Sequence, residues 1–197
     1  MAILVPSRVA LGRSLRRLAA TRWPLTGASD HLVSEALYLD DPDHLGLEIY
    51  RDRPADTWTR EGGEVVMATE RLDLQAVADE PGADLPWRGL DAETRIGHVH
   101  LHVPHLDDAE ARYCDDLGFS ATLRRYPGAL FVAAGAYHHH VGLNVWAGLG
   151  APPPPATAVG LRAFTIEAGG LPPRELADPT TGVTIACRPS GSSRVHA

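Results

Sequence analysis

Ten histidines stand in a chain of 197 residues, and seven of them fall in two short stretches, "GHVHLHVPH" and "YHHH". An imidazole changes charge near neutrality and ligates divalent metals through either nitrogen, so such clusters suit proton transfer or a metal site. In "IGHVHLHV" the two-residue period of a strand puts His98, His100 and His102 on one face and Val99, Leu101 and Val103 on the other. In "YHHHVGLN" the same alternation groups His138 with His140 and turns His139 the other way. The third piece is Glu48, held between Leu47 and Ile49 in "GLEIYRD". A carboxylate in an apolar strand must be paired, protonated or bound to metal. Two imidazoles and one carboxylate around an open site match non-haem Fe(II), although zinc or a plain buried ion pair satisfies the same spacing.

The elements that must position these groups are readable along the chain. "AILVP" is a short apolar strand, and Ser7 can cap a helix reaching about Thr21, with Val9, Leu11, Leu15 and Leu18 on its apolar side. Its Arg-rich, acid-free composition also resembles a transit peptide, but the strand-like run ahead of it favours a helix of the fold. "TRWPLTGAS" reads as a loop, and "HLVSEALYL" and "GLEIYRD" as strands around the turn "DDPDHLG". A polar connector follows, with a short strand at "EVVMAT" and a short helix at "LDLQAVAD". The unit then restarts as strand "IGHVHLHV", helix "LDDAEARYCDDLG" closed by Gly118, and strands "ALFVAAG" and "HHHVGLNVW". A proline-rich linker, "GLGAPPPPATA", precedes strands "GLRAFTI" and "GVTIAC", with a short loop between them. The pattern is an internal βαβββ repeat, an α+β class, whose open curved sheets need partners to bury their concave faces.

Composition narrows the function classes. The net charge of −7, with no basic stripe, excludes nucleic acid as the expected partner. Cys114 and Cys187 are far apart and form neither a disulfide scaffold nor a zinc knuckle. No apolar run approaches a membrane span, so the expectation is a cytoplasmic protein without membrane contact.

"SDHLVSEALYLDDPDHLGLEIYRDRP", "ARYCDDLGF", "IGHVHLHV" and "GAYHHHVGLNVWAG" together resemble the catechol 2,3-dioxygenase-like branch of the vicinal oxygen chelate (glyoxalase/bleomycin resistance) superfamily. The resemblance covers nearly the whole chain. It implies βαβββ modules that pair into an incomplete mixed-sheet barrel around Fe(II), with Mn(II) as the alternative, and ring cleavage of a small aromatic diol by dioxygen. It assigns Glu48 and His98 as metal ligands and His139 as the histidine beside bound oxygen. His31 and Tyr38 resemble the pair that contacts the catecholate oxygens.

On this pattern residues 1–54 are the second module, 55–95 a connector, 96–148 the third module, and 149–197 the linker and an abbreviated last module. On the same pattern, a first module and its metal-binding histidine are expected ahead of "AILVPSR", outside the 197 residues. The last module carries Ala163 and Thr184 where ligands would stand, and is too short for its helix and middle strands. The second and third modules are therefore expected to pair, bringing Glu48 and His98 into one cavity, with His100 or His138 as a substitute third ligand. The gap implies either a start placed too far downstream or a degenerate member. A metal-free protein that sequesters a small aromatic, or a glyoxalase-type lyase or isomerase, are the alternatives to the dioxygenase. The open edge and uncovered concave face predict self-association into a homo-oligomer.

Overall fold

Local capping starts the first unit. The Ser7 hydroxyl accepts the Ala10 N–H at 3.1 Å, which ends strand β1 (Ala2–Leu4) and opens helix α1 (Arg8–Thr21). Arg22, in the left-handed conformation with φ 57°, closes the helix. Strands β2 (Gly27–Asp30), β3 (Ser34–Asp40) and β4 (Gly46–Asp52) follow. The turn between β3 and β4 is built on Asp41, whose carboxylate accepts the N–H groups of Asp43 and Leu45 at 2.8 and 2.9 Å. The computed structural model describes residues 1–170 and 172–190.

The connector holds the short strands β5 (Arg60–Glu61), β6 (Glu64–Val65) and β7 (Glu70–Arg71) and helix α2 (Leu74–Ala78). The second unit runs from β8 (Arg95–His102) through helix α3 (Leu106–Glu110), which continues as a π-helical stretch, Ala111–Asp116. Strands β9 (Ser120–Leu123), β10 (Ala129–Ala133) and β11 (Val141–Asn144) complete it. Strands β12 (Ala163–Ala168), β13 (Arg174–Asp178) and β14 (Val183–Pro189) form a separate three-stranded sheet.

Three strands lie where the sequence reads otherwise. The loop at "TRWPLTGAS" gives way to β2, because "GASD" pairs along β3 from Gly27 opposite Tyr38 to Asp30 opposite Glu35. Cross-strand pairing overrides a composition that disfavours strand. Strand β9 has no apolar run of its own and forms against β10. The expected loop before "GVTIAC" contains β13, so the last unit does keep a middle strand.

Nine strands form one mixed sheet, curled into an open half-barrel, in the order β7-β2-β3-β4-β1-β8-β11-β10-β9. The two βαβββ units occupy its halves as mirror-ordered sets, β2-β3-β4-β1 and β8-β11-β10-β9. They meet where β1 runs antiparallel to β8 while lying parallel to β4. Alternation then sorts the side chains. Leu37 and Ile49 pack under α1 with Val5, Leu11 and Leu15. Val99, Leu101 and Val103 pack with Tyr113, and β14 adds Val183, Ile185 and Cys187 to that cluster. The opposite face, carrying Ala2, Tyr38, Tyr50 and Phe131, is left to line a cavity or pack beside it.

The seam has one irregularity. Ala2 pairs with His98 but Ile3 pairs with Ile96, so Gly97 is the extra residue of a bulge. The Tyr50 ring lies over it, and a Cβ built on Gly97 would stand 1.8 Å from the Tyr50 hydroxyl oxygen. Only a residue without a side chain allows both the bulge and the buried tyrosine. Gly97→Ala is expected to lower stability by about 1–3 kcal/mol, the usual cost of forcing extra carbon into a packed interior. Urea unfolding monitored by circular dichroism measures it, and an unchanged midpoint would remove the packing role given to Gly97.

Candidate active site

Three adjacent strands set the centre of the site. Ala2 on β1 is in register with Glu48 on β4 and with His98 on β8, so all three point to the same face. Strands two apart are separated by roughly 10 Å, and Glu48 and His98 meet by reaching across the buried methyl group of Ala2. His98 Nε2 donates to Glu48 Oε2 at 3.0 Å, and both side chains are buried. Burial alone pushes the Glu48 carboxyl up. The charge and hydrogen bond of His98, with His100 and His31 beyond, pull it below its ordinary value, so it stands as a carboxylate.

A second buried glutamate shows why this arrangement is unusual. Glu35 on β3 is only 3% exposed, yet Arg8, Arg51 and Arg53 all reach it, at 3.0, 2.6 and 3.4 Å. Fixed cations neutralise that carboxylate and make it structural. Among the described residues, no arginine hydrogen-bonds or ion-pairs with Glu48, and the contact that compensates it is His98, whose proton is exchangeable.

Around this pair is a cavity of about 390 Å³. His98, His100 and His102 line it together, as the strand alternation requires, and His31, Tyr38, Glu48 and His139 line it too. Sequence reasoning missed Tyr126, Phe131, Asn144 and Trp146, which also face it and carry no motif of their own. His31 donates from Nδ1 to the Ala68 carbonyl at 2.7 Å, leaving Nε2 to accept the Tyr38 hydroxyl at 2.6 Å. Burial, then the nearby Glu48 charge, holds Tyr38 protonated well above the ordinary phenol value.

One ring nitrogen from each of His98, His100 and His139 lies within 4.8 Å of the others. Room for the His100 ring comes from Gly142 on the neighbouring strand, where a Cβ would stand 2.6 Å from the imidazole. Burial, reinforced by His98, lowers His100 to about 3. Burial likewise holds His139 well below its ordinary value. These are therefore neutral imidazoles, the form that binds metal.

Among the described residues, His98 Nδ1 and His139 Nε2 are buried without a hydrogen-bond partner, although buried polar atoms are normally satisfied. Neutral nitrogens, a carboxylate and unsatisfied donor atoms in one cavity fit a divalent cation of the iron, manganese or zinc type. His138 does not belong to that set, against the expectation that it could substitute as a ligand. Its two ring nitrogens are already engaged by Asp52 and His139, both at 2.8 Å. His140 is not among the residues lining the cavity and packs 4.8 Å from the Tyr137 ring centre.

A curated protein of Bacillus subtilis (strain 168), catechol-2,3-dioxygenase, is 49% identical over 168 residues, which is 84% of this chain and 58% of that protein. The chain thus spans a little over half the length of this relative. A solved structure from Bacillus subtilis subsp. subtilis str. 168, of a protein assigned as a dioxygenase, aligns at 15% identity with a TM-score of 0.52. That alignment covers 96% of this chain and 61% of the other, and it shows the shared fold. No protein-family model matches the sequence. Among the described residues, no helix is long and apolar enough to cross a membrane.

The buried imidazoles make stability depend on pH. An unfolded histidine titrates near 6.5 and folded His100 near 3, so between those values the unfolded chain binds a proton that the folded chain does not. Stability is therefore whole above about 6.5 and falls as pH drops towards 3, at up to about 1.4 kcal/mol per pH unit for one such group. Urea midpoints for the metal-free chain should fall between pH about 7 and about 5, and His100→Asn should flatten that slope. Equal slopes in the two chains would contradict the placement of His100 as a buried neutral imidazole.

Proposed function

The chain belongs to the vicinal oxygen chelate superfamily, and on that premise we propose that its cavity holds a divalent metal and cleaves the ring of a catechol-like aromatic beside its two hydroxyls, with dioxygen as co-substrate. The observation that carries this reading is the contact of Glu48 with His98 across Ala2, in a cavity that also presents His31, Tyr38, His100 and His139. The metal is Fe(II), with Mn(II) as the alternative, held by Glu48 and His98. His100 is the third donor, next along the same face. When bound, the metal supplies a template and Lewis acid that hold diol and dioxygen side by side and favour the ionised diol.

The chain's own groups then have separate tasks. His31 and Tyr38 are joined by a hydrogen bond of 2.6 Å and offer that pair to the substrate oxygens. Phe131 and Trp146 give the cavity apolar walls for an aromatic ring, and its volume lies at the small end of ligand cavities. His139, neutral and facing the cavity, accepts a proton from a diol hydroxyl: the O–H bond breaks, the N–H bond forms, and the electron pair stays on oxygen. The His31–Tyr38 pairing favours diol oxygens over the thiol adducts of a glyoxalase-type lyase.

Glu48→Gln tests the reading. The variant keeps the shape but loses the charge that a divalent ion requires, and iron retained after desalting should fall to background, with oxygen uptake on catechol lost as well. Elemental analysis and an oxygen electrode read these two quantities. Stoichiometric iron in Glu48→Gln would remove Glu48 from the ligand set. Saturable catechol binding by an unaltered chain that holds no metal would support a metal-free aromatic-binding protein in place of the dioxygenase.

A further inference from the structure

Behind the cavity wall lies a row of hydrogen bonds that the proposed chemistry does not use. Asp52, at the end of β4, accepts from His138 Nε2 at 2.8 Å through one carboxylate oxygen and from the Tyr137 hydroxyl at 2.9 Å through the other. Tyr50 in turn donates to Tyr137 at 2.9 Å. His138 is fully buried, and its Nδ1 faces His139 Nδ1 at 2.8 Å. His139 is 4% exposed, and its remaining nitrogen, Nε2, has no hydrogen-bond partner among the described residues and belongs to a ring that lines the cavity.

The chemistry of these atoms orders the hydrogens along the row. An ionised carboxylate only accepts, so His138 Nε2 must carry a hydrogen. A neutral imidazole has one hydrogen, so His138 Nδ1 is bare, and His139 Nδ1 must donate to it. The same count leaves His139 Nε2 bare. We propose that Asp52 and His138 are positioning residues that lock His139 with its hydrogen on Nδ1 and its Nε2 lone pair towards the cavity. His139 therefore receives the first hydrogen bond from a substrate hydroxyl and has none to give until a proton has moved onto it. That consequence for the substrate rests on the dioxygenase reading; the locked tautomer does not.

The arrangement also explains two neighbours. Trp58 and Tyr137 pack their rings on His138, with ring centres at 5.1 and 4.2 Å, and so fix the ring plane on which both hydrogen bonds depend. Asp52 is the outermost member, its side chain 23% exposed, so the row runs from the cavity to the protein surface.

Histidine-selective ¹⁵N nuclear magnetic resonance on the 197-residue chain, without added metal, reads the tautomer directly, with His139 assigned by loss of its signals in His139→Asn. The expected spectrum has His139 protonated at Nδ1 and bare at Nε2. His138→Gln can still donate to Asp52 and accept from His139, and should keep that form. His138→Leu cannot, and should show both His139 tautomers, with kcat on catechol lower by about 10- to 100-fold and KM little changed. A hydrogen on His139 Nε2 in the unaltered chain, or an unchanged tautomer in His138→Leu, overturns the proposal. The locked tautomer in a chain that consumes no oxygen with catechol supports the positioning role and counts against the dioxygenase reading instead.

Discussion

Three strands run side by side at the middle of the sheet, and the middle one carries alanine where its neighbours carry glutamate and histidine. Because Ala2 is in register with both Glu48 and His98, the two polar side chains can meet above it. Neither βαβββ unit makes the site alone: the carboxylate comes from one and the imidazole from the other. The antiparallel pairing of β1 with β8 is thus the contact on which the cavity depends. The Gly97 bulge accompanies it, making room for Tyr50 within the seam. Tyr50 then extends the polar row through Tyr137 to Asp52, so a packing device at the seam also supports the hydrogen bonds behind the cavity.

Charge is arranged differently on the two faces of the first unit. On the helix side, Glu35 is surrounded by three arginines that cannot give up their protons. On the cavity side, Glu48 is compensated by an imidazole whose proton can be replaced by a metal ion. Around it, burial keeps His100 and His139 neutral. A carboxylate beside neutral imidazoles, with two ring nitrogens left unsatisfied, is a costly arrangement without a ligand. That cost is the physical reason for reading the cavity as functional.

Much of this was legible in the residues. Alternation in "IGHVHLHV" placed three histidines on the cavity face and three aliphatic side chains in the core, as the strand shows. Glu48 stood out because its neighbours in the strand are apolar, and Ser7 announced the first helix. The run "YHHH" was less readable, because residues 137–140 precede β11 and are not extended as a regular strand. His138 and His139 are therefore both buried and bonded to each other instead of belonging simply to opposite faces. Nothing local marks Asp52 as the partner of His138, 86 residues away, and that pairing exists only once the two units share a sheet. Strands β2, β9 and β13 escaped notice because they are made by pairing and not by their own composition.

The central claim is that the seam between the units builds a metal site on Glu48 and His98. Anomalous diffraction from crystals soaked in Mn(II) tests it without reliance on turnover. One ion should appear in the cavity, with Glu48 and His98 as ligands at roughly 2.0–2.2 Å. An ion bound elsewhere, with the hydrogen bond between His98 and Glu48 still intact, would contradict the account.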